Sequence, residues 1–326
     1  MKQSEIPQPP PHNLLIRELR SVADVLTMPL NFLGARQATG PARPIILIPG
    51  FGAGDWSMRP LGLYLQRNGF ETEDWGLGVN RAGLDIPHTL ADIGRGWSVQ
   101  PIEPYRGEGG VAVLVDKMVE RVAARAAALG EPLTLVGWSL GGTIAREIAR
   151  DIPGAVHHVI TLGSPFIGGP KYTVAGKRLE RRGLNLDWIE DQVRRREDRP
   201  VKVPITAVVS PSDAIVDFRA TRDHFSENVE HVELNVPHLS MGFNRNVWRV
   251  IVKTLREAEN RYDDVTSELK AKEKRHALPG LPEHPDGPPD SPRRSRFHAL
   301  RLRLPGARLE RRRRLDGRAD RGRDGR

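Results

Sequence analysis

Apolar positions along this chain follow two rhythms. Short, mostly apolar runs at 44–49, 133–136, 157–162 and 205–209 read as buried strands, with a further strand at 71–77 and a last one at 229–236. Between them apolar residues recur at helical spacing over 56–69, 140–150 and 244–262, and over 111–129, where Val111, Val115, Met118, Val122 and Ala126 share one face. Strands that are apolar throughout and alternate with helices predict an α/β class, a largely parallel sheet covered on both faces.

Two segments break the alternation. Residues 79–110 and 166–204 are long connections for a domain of this kind, and such excursions commonly carry function. Both should emerge at the C-terminal edge of the sheet. They are expected to wall the substrate pocket, with 166–204 as a lid or cap.

The ends differ from the body. Residues 1–12 form a Pro-rich leader expected to be disordered, followed by a helix over 13–27 whose Leu15, Leu19, Val22 and Leu26 are expected to pack on its own domain. Residues 13–262 make up the domain. Residues 263–326 turn Pro-rich and then Arg-rich and are expected to be a disordered basic tail.

Charge follows the same division. The 326 residues carry a net +9, but residues 268–326 hold 18 basic against 9 acidic residues, so residues 1–267 balance at 32 and 32. A high pI therefore says nothing of nucleic acid for the body, and no specific nucleic-acid partner is expected. The run Arg311 to Arg314 allows weak contact with an anionic surface. With no cysteine, neither disulfides nor thiol chemistry is available. The N-terminus lacks the apolar core of a signal peptide and no stretch reaches membrane-spanning length, so the expected location is cytoplasmic, with peripheral membrane contact open.

The most informative chemistry lies at 137–141, Gly-Trp-Ser-Leu-Gly, where a short strand runs straight into a helix. A turn that sharp holds its central residue in a sparsely populated backbone conformation and lifts the Ser139 hydroxyl above the sheet. Glycines at 137, 141 and 142 relieve crowding where strand and helix cross. A serine nucleophile needs an imidazole to take its proton and a carboxylate to orient that imidazole.

Asp213 follows the strand 205–209 directly, whereas Asp217 lies beyond it and Asp187 and Asp191 fall inside the lid. Its alternative role is to cap the turn. Of ten histidines only His238 follows the last strand immediately. The expected triad is Ser139, Asp213 and His238. Backbone N–H groups of Leu140, after the nucleophile, and of Phe51, in the glycine-rich turn after the first strand, are the expected oxyanion donors. Trp138 and Phe166 are candidates for the substrate pocket.

These blocks, with Trp75-Gly76-Leu77-Gly78, Thr161-Leu162-Gly163-Ser164-Pro165-Phe166 and His238-Leu239-Ser240-Met241-Gly242, resemble bacterial α/β-hydrolases of the esterase/lipase-like kind over roughly residues 40–260. The resemblance implies the α/β-hydrolase fold and a serine hydrolase of carboxylic esters, acting on a small-molecule ester or lipid with no metal or organic cofactor. An acyltransferase using the same triad and a noncatalytic binding protein of the same fold are the alternatives.

Overall fold

The computed structural model describes residues 6–32, 43–94 and 96–276. Six strands pair in parallel in the order β2-β1-β3-β4-β5-β6: β1 is Ile45–Ile48, β2 Thr72–Asp74, β3 Leu133–Trp138, β4 Val156–Leu162, β5 Ile205–Val209 and β6 Val229–Glu233. β1, β3 and β5 are buried along their whole length, as apolar runs in a doubly covered parallel sheet must be. The edge strands β2 and β6 are only partly covered and carry the polar residues.

Successive side chains of a strand point to opposite faces, which divides the core in two. Ile45, Leu47, Val136 and Ile160 pack with α2 (Asp55–Arg67) and Trp248 and Ile251 of α7 (Arg245–His276). Ile46, Ile48, Leu135 and Val159 pack on the other side with α3 (Gly110–Leu129) and α4 (Leu140–Asp151). The chain leaves β1 toward one edge to make β2, returns to β3 on the other side of β1, and continues outward through β4, β5 and β6. Loops leaving β1 and β3 therefore part in opposite directions. That reversal opens a crevice at the C-terminal ends of the two strands.

Several expectations change. The last strand stops at Glu233, and β2 ends at Asp74 because Gly76 and Gly78 turn the chain with φ of 73° and 75°. The leader is not loose over its described part: Pro7 and Pro10 are buried, and the Gln8 N–H donates to Asp217 Oδ2 at 3.2 Å. Prolines have little backbone freedom to lose on docking. The closing helix runs to His276, into the segment assigned to the tail; residues 277–326, the rest of that tail, lie outside the described residues.

The N-terminal helix is 3₁₀ over His12–Leu19 and α-helical only over Arg20–Thr27, here α1, and its apolar stripe does not pack inward. Its buried residues are Glu18 and Ser21, while Leu19, Val22 and Leu26 are exposed. Polar partners in the body, not apolar burial, set its orientation. Among the described residues no helix is long and apolar enough to cross a membrane.

Candidate active site

Ser139 sits where β3 becomes α4, with φ 54° and ψ −123°, a conformation rarely open to an L-residue. The surrounding glycines make that turn possible. A Cβ on Gly137 would lie 2.3 Å from the Gly141 carbonyl oxygen, and one on Gly141 would lie 2.2 Å from that of Ile48. The elbow is thus wedged against the end of β1 and held to β4, whose Leu162 carbonyl accepts from the Ser139 N–H at 2.7 Å.

His238 and Asp213 meet although 25 residues separate them: the imidazole Nδ1 lies 2.6 Å from Asp213 Oδ2, and both side chains are buried. The other carboxylate oxygen accepts from the N–H groups of Ile215 and Val216, each at 2.8 Å, so one oxygen holds the loop and the other the imidazole. The two roles weighed for Asp213, turn cap and histidine partner, coexist in one side chain. Burial by itself would lower the His238 pKa. The Asp213 charge and hydrogen bond, with the Glu18 charge, outweigh it and raise the imidazole above its ordinary 6.5.

The rival acids are engaged elsewhere. Asp217 pairs with Arg219, Asp187 with Lys171, and Asp191 with Arg194 and Arg195. The rival histidines are likewise distant in role: His158 meets Thr206 Oγ1, and His231 accepts from the Asp223 N–H.

Ser139, Leu140, Phe51 and His238 all border one cavity of about 830 Å³. Gly50 brings the turn after β1 onto the elbow, since a Cβ there would lie 3.2 Å from Ser139 Cβ. Among the described residues the main-chain N–H groups of Phe51 and Leu140 have no backbone acceptor. Two amides left free beside a serine are what an oxyanion requires. Trp138 and Phe166 also line the cavity; the Trp138 indole N–H donates to the His238 carbonyl at 3.3 Å, bracing the histidine loop.

Both long connections wall this space. Leu84, Ile93 and Trp97 come from the first; Leu179, Leu184 and Ile189 come from the second, which folds into α5 (Gly176–Arg181) and α6 (Leu186–Arg196). The second is fastened behind the elbow by a buried ionic cluster. Arg146 of α4 bonds Asp223 at 2.6 Å and Glu197 at 2.8 Å, and Glu147 receives Arg196 at 2.7 Å. Burial would raise both carboxyls, yet the neighbouring arginines hold Glu147 and Asp223 down at about 2.

Two functional residues escaped sequence reasoning. Gly163 takes φ 57° beneath the pair; a Cβ there would lie 3.0 Å from His238 Nδ1 and 3.1 Å from Asp213 Oδ2. Its place in Gly-Ser-Pro after a strand was the available signal. Glu18 is the other: Oε1 accepts from Ala214 N–H at 3.1 Å and His238 N–H at 3.0 Å, and Oε2 from Leu239 N–H at 2.9 Å. One carboxylate therefore clamps the acid loop to the histidine loop. No sequence signal pointed to it.

A family model described as alpha/beta hydrolase fold matches residues 92–270. None of the curated proteins matches the chain. Among solved structures, a monoacylglycerol lipase from Paleococcus ferrophilus is 17% identical, covering 67% of this chain and 96% of its own with a TM-score of 0.45. Naproxen esterase (carboxylesterase NP) from Bacillus subtilis is 12% identical, covering 72% of this chain and 97% of its own with a TM-score of 0.42.

Proposed function

This chain belongs to the alpha/beta hydrolase fold family, and from that premise we propose that it is a serine hydrolase of carboxylic esters. The observation that carries the reading is the His238–Asp213 contact of 2.6 Å, with His238 and a strained serine lining one mostly apolar cavity. Ser139 Oγ attacks the ester carbonyl while neutral His238 takes its proton. Asp213 keeps the Nδ1 proton in place and stabilises the imidazolium. The Phe51 and Leu140 amides receive the oxyanion, His238 returns the proton to the departing alcohol, and water then repeats the sequence on the acyl-enzyme.

The apolar lining selects an ester with an apolar acyl part. Short- to medium-chain p-nitrophenyl esters should be turned over, and Ser139→Ala should leave only the residue of catalysis that binding and the oxyanion donors supply. Undiminished turnover in Ser139→Ala refutes the assignment. Failure of a fluorophosphonate to label Ser139 favours a noncatalytic member of the fold, and ester formation with added alcohols favours acyl transfer.

A further inference from the structure

The segment ahead of the sheet inverts the usual rule for an amphipathic helix. What it buries most deeply is polar and bonded into the body: Glu18 on the two loops, the Ser21 hydroxyl 3.1 Å from that of Ser240, and Asn31 Nδ2 donating to the Phe243 carbonyl at 3.0 Å; Met28 and Phe32, which pack on the core at its end, are only half-buried. What it exposes is apolar, with Ile16 70%, Leu19 65%, Val22 57% and Leu26 74% open to solvent. Isolated exposed leucines need no explanation, but these are contiguous. Leu19, Val22 and Leu26 border the mouth of the active-site cavity, together with Phe51 and with Trp56, itself 68% exposed.

Cations flank this rim. Arg17 and Arg20 are exposed on the same segment, and the exposed Arg178 and Arg182 line a second depression together with Phe51. Among the described residues none of these four forms a salt bridge with a carboxylate. A second copy meeting the rim about a twofold axis would bring like charges together. A surface that is apolar within and anionic at its face satisfies both features at once.

We propose that the rim formed by Leu19, Val22, Leu26, Phe51 and Trp56 docks on a bilayer containing anionic lipid. The four arginines meet the headgroups, and the cavity mouth opens toward the acyl chains. The proposal does not depend on Ser139 being a nucleophile, because docking is read without turnover.

The test is flotation of the full chain with phosphatidylcholine vesicles, with and without about one-third phosphatidylglycerol, combined with tryptophan quenching by brominated phosphatidylcholine. Trp75, Trp138 and Trp248 are buried, Trp97 and Trp188 are half-buried and residues 277–326 contain no tryptophan, so the quenching that Trp56→Phe removes reports the rim and not the basic tail. Anionic vesicles should carry the protein and quench it, and Trp56→Phe should remove most of the quenching while flotation persists. Leu19→Ser with Leu26→Ser should lower partitioning about tenfold or more. Arg178→Gln and Arg182→Gln should each lower it about fivefold. All these side chains face solvent, so melting temperatures should match the parent protein. Three outcomes overturn the proposal: no flotation; flotation that survives the Leu19/Leu26 changes without quenching, which assigns binding to the tail; or lipid-free dimerisation abolished by the same two changes.

Discussion

Glu18 offers the sharpest test of how the site is assembled. Replacing it with alanine strips the acceptor from the N–H groups of Ala214, His238 and Leu239. Ala214 and His238 are buried, whereas Leu239 is 45% exposed and can turn to water. Two buried amides left unsatisfied at about 1–3 kcal/mol each predict a loss of about 2–6 kcal/mol, a large part of a typical stability. Glu18→Gln keeps the volume and one acceptor oxygen for Ala214 and His238 but sets a donor against Leu239, so it should cost only about 1–3 kcal/mol. Urea unfolding measures both.

Stability alone would not separate a clamp on the site from a clamp on the N-terminal segment, but the pH profile does. In the proposed mechanism His238 must be neutral to accept the Ser139 proton, and its pKa stands above 6.5, with Glu18 among the raising charges. The acid limb of kcat/KM should therefore lie above pH 6.5 in the parent protein and move to lower pH in Glu18→Gln. In Glu18→Ala the loosened histidine loop should also lower kcat/KM about 100-fold. Unfolding within about 0.5 kcal/mol of the parent for both variants, with an unmoved acid limb, would refute the reasoning.

Three further predictions concern the surroundings. Arg146→Met leaves Glu147, Glu197 and Asp223 short of a buried partner and should destabilise by about 3–5 kcal/mol in urea unfolding. Gly141→Ala drives a methyl into the Ile48 carbonyl; it should cost about 1–3 kcal/mol and suppress fluorophosphonate labelling by displacing the turn that carries Phe51. Burial, together with the charges of His157 and Arg261, lowers His158 to about 3, so the unfolded chain binds its proton first as the medium is acidified. Stability should fall as pH drops from 6.5 toward 3, and His158→Gln should flatten that part of a melting-temperature profile.

Much of the fold was legible because its signals are local. Continuous apolar runs such as Ile205–Val209 mark strands of a doubly covered sheet, and the Val111 to Ala126 stripe marks a helix packed on it, whatever the rest of the chain does. The candidates Ser139, Asp213 and His238 could be picked out because each stands at or in the connection that follows a strand, and in a parallel sheet the C-terminal ends of all strands lie on one edge. Element ends were less legible. β2 stops where Gly76 and Gly78 turn the chain, β6 stops where its neighbour β5 ends, and α7 runs past its apolar stripe on residues that are good helix formers.

The sequence by itself therefore determined the class of sheet and the strained serine, and it singled out Asp213 and His238, which the fold brings into contact, since short-range spacing and steric need encode these features. Only the tertiary structure decided which side of the N-terminal helix faces the body. Glu18 finds its partners 196 to 221 residues away, and three hydrogen bonds to backbone amides there outweigh the burial of a leucine stripe. Periodicity reveals that a helix has an apolar face. It does not reveal which phase that face meets.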